Sequence, residues 1–308
     1  YWQLSRKRFA SHVLQTALGV ASKWINQEQF ESKPNQNDLR SVVLGFAAEF
    51  EPNAADALSD TYASHVLRSL TILLSGKVSL DEQYLVSNSS KHFKSQNKLT
   101  QKKEQHDYFV PTVFAQALRN IAQAVMMNNQ SLEELAQNPI SSPTLQVLLL
   151  CTGKSERESF IKRLFSGKNE QDRQSLILRL AQDKIGSHFL QIMLKCISQR
   201  TFSKCFQTVF KGNLSKLLIY PSGLYVLRDI ISCITEKDLM KDMLDELQII
   251  LSTLKSGNHT IILVKIVAKC SELQKCFKAA LKLVHSYYDI DESNLDAGIR
   301  NLLQKMDL

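Results

Sequence analysis

The chain has 308 residues, of which 44% are apolar, and its 38 basic and 30 acidic side chains give a formal charge of +8. No apolar run approaches the roughly 18 residues that cross a membrane, and no signal peptide is visible, so we expect no membrane association. Six cysteines occur singly and never as Cys-x-x-Cys, which favours free thiols in a reducing compartment over zinc sites or disulfides.

Apolar periodicity predicts an all-α chain, beginning with a helix around Ala10 to Gln15. A polar insertion from Asn26 to Asn37 follows, and then helices at Asp38 to Phe50 and Thr61 to Leu74. The largest insertion, Val86 to Asp107, has five lysines against one Glu and one Asp. This composition predicts disorder, either as a solvated loop or as a basic arm that touches RNA.

The helices predicted beyond this insertion recur in groups of two or three. They are Thr112 to Met127, Ser131 to Ala136, Ser142 to Cys151, Ser155 to Phe165, Gln171 to Ala181, Ile185 to Cys196, Phe202 to Phe210, Ser222 to Ile234, Glu236 to Leu251, Thr260 to Cys270, Glu272 to His285 and Glu292 to Met306. The chain starts on a repeat and without Met, so we expect it to be part of a longer protein.

One helix of each group repeats a short segment. Its copies are Ala-Ser-His-Val-Leu-Gln from Ala10, Ala-Ser-His-Val-Leu-Arg from Ala63, Ser-Ser-Pro-Thr-Leu-Gln from Ser141, Gly-Ser-His-Phe-Leu-Gln from Gly186, Gly-Leu-Tyr-Val-Leu-Arg from Gly223 and His-Thr-Ile-Ile-Leu-Val from His259. The last two intervals are 37 and 36 residues, and the longer earlier ones imply insertions. A repeated unit of this size predicts a solenoid, in which each unit buries its apolar face against its neighbours.

A helical wheel separates two faces of this motif helix. Ser11, His12 and Gln15 fall within about 100° of one another, whereas Val13 and Leu14 fall on the other side. The residue before the serine is small in five copies, which suits close approach of a neighbouring helix. We therefore predict a polar front that presents side chains, and a buried back that contains Leu14, Leu67, Leu145, Leu190, Leu227 and Leu263.

The period and the motif resemble the Pumilio (PUF) repeat, a three-helix unit of curved α-solenoids. In that family the first and fifth residues of the motif meet the edge of an RNA base and the second stacks on it. The resemblance assigns base-edge pairs to Ser11 with Gln15, Ser64 with Arg68, Ser142 with Gln146, and Ser187 with Gln191. It assigns stacking to His12, His65, His188 and Tyr225, with Arg228 on the edge of the fifth repeat.

Three copies depart from the Pumilio pattern. Pro143 cannot stack as His or Tyr does, Leu224 cannot hydrogen-bond a base edge, and the copy at Thr260 lacks polar partners and is interpreted as structural. The sequences of the motif segments that contain Ser11, Ser64 and Ser187 are similar to those of a divergent nucleolar branch of the family. That resemblance implies binding of pre-ribosomal RNA and pre-ribosomal particles, a role in small-subunit ribosome biogenesis and rRNA processing, and a place in the nucleus and nucleolus. It implies one repeat solenoid over residues 1–308.

The motif residues also bear on catalysis, metal binding and protein binding as alternatives to RNA binding. Adjacent Ser and His project about 100° apart and recur in several copies, which argues against a catalytic site. Equivalent histidines lie a repeat or more apart, too far to share a metal ion. We expect no enzyme, cofactor or small-molecule substrate. The alternatives left open are an armadillo- or HEAT-like protein scaffold and a cytoplasmic Pumilio-type mRNA regulator, although the irregular intervals differ from the even spacing of the latter.

Overall fold

The computed structural model of the protein describes residues 1–28, 39–77, 110–127, 130–253 and 259–288. Every regular element in these ranges is helical, which confirms the predicted all-α class. The chain divides into two compact units, Tyr1–Ser166 and Gly167–Leu308. The insertion at 86–107 and the helix predicted at 292–306 lie outside the described residues, as does most of the insertion at 26–37.

The first unit is a stack of helical repeats. Its helices are α1 (Trp2–Ser5), α2 (Arg8–Glu28), α3 (Leu39–Phe50), α4 (Ala54–Ser59), α5 (Ala63–Ser75), α6 (Thr112–Met126), α7 (Leu132–Gln137), α8 (Ser141–Cys151) and α9 (Lys154–Leu164). The motif helices are α2, α5 and α8, and α5 packs between the other two. Helix α6 packs against α3 and α9, while the short helix α4 packs against α5 and α6.

The second unit continues the same order of elements. It contains α10 (Glu170–Gln182), α11 (Gly186–Cys196), α12 (Gln199–Cys205), a π-helical turn (Phe206–Phe210), α13 (Leu214–Leu218), α14 (Pro221–Cys233), α15 (Lys237–Thr253), α16 (Thr260–Leu273) and α17 (Phe277–Tyr288). The motif helices are α11, α14 and α16, and α14 packs between the other two. Helix α15 packs against α17.

Most of the predicted helix boundaries agree with the structure to within two residues, but several places differ. The predicted helix at 202–210 begins earlier and passes into a π-helical turn, and the short helices α1, α4 and α13 were not predicted. Helix α16 runs to Leu273, and α17 begins only at Phe277. Gln274 and Cys276 between them have positive φ angles of 54° and 65°. This left-handed backbone ends α16 and separates the two helices.

The motif leucines form the core of the stack, with one exception. Leu67, Leu145, Leu190, Leu227 and Leu263 are buried as predicted, whereas Leu14 is only half-buried. Its neighbour Val13 is 67% exposed, although the residues at its position in all later copies are buried. In α8 this position holds Thr144, whose hydroxyl donates to the Ser64 carbonyl of the preceding motif helix at 3.3 Å. Among the described helices, none covers the corresponding side of α2.

The small residue before the motif serine allows the close approach that the sequence suggests. A Cβ added to Gly223 of α14 would lie 2.2 Å from the Leu217 carbonyl oxygen of α13, so only glycine fits there. The last copy has His259 at this position instead, buried and edge-on to Tyr287 with ring centroids 6.2 Å apart. The sixth repeat therefore uses a different contact at this position.

Candidate nucleic-acid interface

Three motif helices are oriented by the same turn at their N-termini. Asp60, Asn138 and Asp183 each lie four residues before the motif serine, and the Oδ1 atom of each accepts two backbone N–H groups at 2.6–3.2 Å. The bonds satisfy donors that a helix start leaves without intrahelical partners. Sequence analysis missed these residues, although the recurrence of Asp or Asn at one fixed distance from the motif was a readable signal.

The serines at the first motif position are buried and not on an open front. Ser11, Ser64, Ser142 and Ser187 are all nearly inaccessible. The hydroxyl of Ser11 donates to the Arg8 carbonyl at 2.8 Å, and that of Ser142 accepts from the Gln146 side chain at 3.2 Å. The serines therefore help to position the motif helix and the fifth residue, and little of their surface reaches solvent.

The stacking position is the most exposed of the three. His12 and His188 are exposed, Tyr225 is 50% exposed, and His65 and Pro143 are half-buried. In every one of these copies except the first, the residue that follows the stacking position is buried. A single step along the helix therefore passes from solvent to core. Planar rings in this arrangement offer faces on which bases can stack.

The residues at the fifth position lie deeper than the stacking rings. Arg68, Gln146 and Gln191 are buried, whereas Gln15 and Arg228 are half-buried. Among the described residues the Nε2 atom of Gln191 has no hydrogen-bond partner, whereas the Nε2 atom of Gln15 donates to the Ser11 carbonyl at 3.1 Å. An amide donor buried without an acceptor costs free energy, so the Gln191 side chain gains free energy if it shifts to donate to an acceptor on a ligand.

His65 and Arg68 form a basic pair on α5. Arg68 Nη2 lies 2.5 Å from His65 Nδ1, and because a guanidinium can only donate, this nitrogen of His65 accepts and the ring proton is on Nε2. Burial, the Arg68 charge and nearby His12 lower the pKa of His65 to about 4. Burial lowers the pKa of Arg68 to about 10. At neutral pH the pair thus has one positive charge, on Arg68.

The fifth repeat pairs its ring and its arginine differently. The guanidinium carbon of Arg228 lies 5.3 Å from the Tyr225 ring centroid, a cation–π distance. Arg228 Nε is 3.5 Å from the carboxylate of Asp229, which also lies 3.0 Å from Lys195 Nζ. Lys195 and Asp229 are charged neighbours of the motif that sequence analysis did not single out. In the sixth copy the same positions hold Ile261 and Val264, both exposed and apolar.

The chain matches known proteins over nearly its whole length. The NOP9-like PUF repeat domain matches residues 1–306. This chain belongs to that family. Its relatives include nucleolar protein 9 of Scheffersomyces stipitis, which is 27% identical over 274 residues that cover 79% of this chain and 38% of the relative. Nucleolar protein 9 of Saccharomyces cerevisiae strain S288c is 26% identical over 289 residues, 84% of this chain and 43% of the relative. The chain spans about two fifths of these relatives.

Solved PUF structures have the same fold. The structure of APUM23-GGAGUUGACGG has a TM-score of 0.73 at 21% identity and covers 94% of this chain and 53% of that one. The Puf4 RNA binding domain bound to the HO endonuclease RNA 3' UTR recognition sequence has a TM-score of 0.58 at 13% identity, with 99% and 74% covered. The prediction of a Pumilio-like repeat fold, and of its divergent nucleolar branch, is confirmed.

The described residues also bear on membrane, metal and thiol sites. No helix in those ranges is long and apolar enough to cross a bilayer. In the same residues, no group of three or more His, Cys, Asp or Glu side chains is placed to hold a metal ion. The six cysteines are free thiols, and burial raises the pKa of Cys205 to about 12, which makes this thiol a poor nucleophile at neutral pH.

Proposed function

We propose that this chain binds single-stranded regions of pre-ribosomal RNA through its motif helices and acts, without catalysing a reaction, in small-subunit ribosome biogenesis in the nucleolus. The observation that carries the proposal is the exposure of planar side chains at one motif position, with polar fifth residues behind them. Membership of the NOP9-like PUF family supports it, as do the names of the nucleolar relatives. The formal charge of +8 favours a polyanionic partner.

The second and fifth positions of the motif are proposed to make different contacts with RNA. His12, His65, His188 and Tyr225 stack on bases, while the fifth residues, Gln15, Arg68, Gln146, Gln191 and Arg228, provide polar contacts. Ser11, Ser64, Ser142 and Ser187 complete the base-edge pairs only where the bound base reaches a nearly buried hydroxyl. Pro143, Ile261 and Val264 offer no aromatic ring, so the repeats that carry them contribute less to base stacking.

An equilibrium binding measurement tests the RNA part of the proposal. Affinity for a labelled oligoribonucleotide, measured by fluorescence anisotropy, should fall steeply between about 50 and 200 mM salt because basic contacts release counterions. Replacing His12, His188 and Tyr225 together by Ala should weaken binding by at least about 100-fold, since each base–aromatic stack is worth roughly 1–3 kcal/mol and about 1.4 kcal/mol corresponds to a factor of ten. Phe277→Ala is the matched control, because Phe277 is an exposed aromatic residue outside the motif helices.

Two results would contradict the proposal. Binding that is unaffected by the triple replacement would place the RNA elsewhere, and no binding at either salt concentration would favour a protein scaffold. Crosslinking of the full-length protein to cellular RNA, followed by sequencing, tests the RNA class. Reads concentrated in small-subunit precursor RNA are expected, whereas reads in the 3' regions of messenger RNA would favour a Pumilio-type mRNA regulator.

A further inference from the structure

Two arginines occupy the same motif position but have different surroundings. Arg228 is 34% exposed along its side chain and lies beside the Asp229 carboxylate. Arg68 is only 7% exposed. Among the described residues no carboxylate lies within ion-pair distance of Arg68, and its Nε atom has no hydrogen-bond partner. Arg228 therefore has a neighbouring carboxylate, which it shares with Lys195, whereas Arg68 has none among the described residues.

The next residue along the helix accounts for this difference. Arg228 is followed by Asp229, whereas Arg68 is followed by Ser69. The Ser69 hydroxyl donates to the His65 carbonyl at 3.2 Å and carries no charge. The equivalent of the Asp229 carboxylate is thus missing from α5. His65 accepts one hydrogen bond from Arg68, but a neutral imidazole does not neutralise the guanidinium.

A buried cation without an anion is costly, because burial removes its hydration and one hydrogen bond to a neutral ring does not compensate for the charge. The Arg68 guanidinium remains protonated at neutral pH, since its lowered pKa of about 10 is still well above 7. The edge of a neutral base would satisfy its hydrogen bonds but would leave the charge uncompensated. A phosphodiester oxygen would do both, and Arg is well suited to bidentate contact with phosphate.

We propose that Arg68 is an anion site on α5 that binds a backbone phosphate of the RNA, whereas Arg228, already paired with Asp229, makes no such phosphate contact. The inference rests on the proposed RNA-binding function and adds to it an assignment of two arginines to different chemical roles. The ligand group is a phosphodiester, and free inorganic phosphate shares its chemistry.

The salt dependence of RNA binding distinguishes the two roles. For single strands, each phosphate contact contributes about 0.7 to the magnitude of the slope of log affinity against log salt. Arg68→Gln should reduce the slope by about that amount. Arg228→Gln should weaken binding through the lost contact with Tyr225 and the base, with the slope unchanged. The oligonucleotide GGAGUUGACGG and a short oligouridine serve as probes.

Exchanging the neighbouring residues gives a sharper test. Ser69→Asp should supply the missing acid and reduce the slope by about 0.7, as Arg68→Gln does. Ser69→Asn is the matched control of similar size without charge and should leave the slope unchanged. Asp229→Ser should release both Arg228 and Lys195 and increase the slope by at least about the same amount. Circular dichroism melts establish which variants fold, and Arg68→Gln decides the question if Ser69→Asp does not.

Several outcomes would overturn the assignment. An unchanged slope with altered base preference in Arg68→Gln would make Arg68 a base-edge residue. Equal slope changes in Arg68→Gln and Arg228→Gln would remove the distinction. If inorganic phosphate raises the melting temperature of the wild type but not of Arg68→Gln, while the RNA slope is the same in both, the site binds a free anion. Wild-type protein that binds neither probe refutes the proposed function itself.

Discussion

Replacing one motif leucine by alanine should have very different effects in the first two repeats. Leu67 of α5 is completely buried, whereas Leu14, at the same motif position in α2, is half-buried beside the exposed Val13. Leu→Ala removes three carbon groups, and at about 0.8 kcal/mol for each buried group the transfer loss is about 2.4 kcal/mol. The cavity in the packed core adds to this, so we expect Leu67→Ala to cost about 3–5 kcal/mol.

Leu14→Ala is the matched control for this prediction, because water reaches its surroundings and no closed cavity forms. We expect it to cost about 1 kcal/mol. Both residues belong to the unit Tyr1–Ser166, so urea denaturation of the whole chain, followed by circular dichroism, compares them within one transition. Equal losses for the two variants would show that burial at the motif leucine does not determine the stability of a repeat.

Three further predictions concern single side chains. His188→Ala should weaken RNA binding by roughly 1–3 kcal/mol in anisotropy titrations and leave the melting temperature unchanged, because the ring is exposed; a sharp fall in melting temperature would make it a core residue. The pKa of His65 is about 4 in the folded protein, against an ordinary value of 6.5. As the pH falls, the unfolded chain therefore takes up a proton at this residue before the folded chain does, and the free energy of unfolding should fall from about pH 6.5 towards pH 4. Denaturation at stepped pH should show a smaller loss in His65→Gln, and an equal loss would contradict the burial of this neutral ring. The Glu246 carboxylate accepts hydrogen bonds from the backbone N–H groups of Gly212 and Leu214 at 2.8 and 2.9 Å. Glu246→Ala should therefore lower the free energy of unfolding by about 1–3 kcal/mol in urea denaturation. Glu246→Gln keeps an acceptor oxygen and should lower it less.

Much of the fold could be predicted because the motif repeats. Four copies keep a small residue, an apolar residue two positions after the serine position and a leucine, and all six keep the leucine. This regularity predicted the helical stack and the buried leucines. Helix boundaries followed from the 3.6-residue periodicity, which is strong in long amphipathic segments. The short helix α13 was missed because five residues, Leu214–Leu218, are too few to show a period. The π-helical turn at Phe206–Phe210 has no pattern of its own in the sequence.

The candidate site was determined by the sequence only as a set of residue types. The motif determined by itself that Ser, an aromatic ring and a polar fifth residue share one sector of the motif helix in the copies that contain Ser11, Ser64 and Ser187. It could not determine their depth, because a helical wheel gives direction but not the distance of a neighbouring helix. Tertiary packing placed the serines and Arg68 in the interior and left His12 and His188 exposed. The pairing of Arg228 with Asp229, and the absence of an acid beside Arg68 among the described residues, likewise depend on which side chains packing brings together.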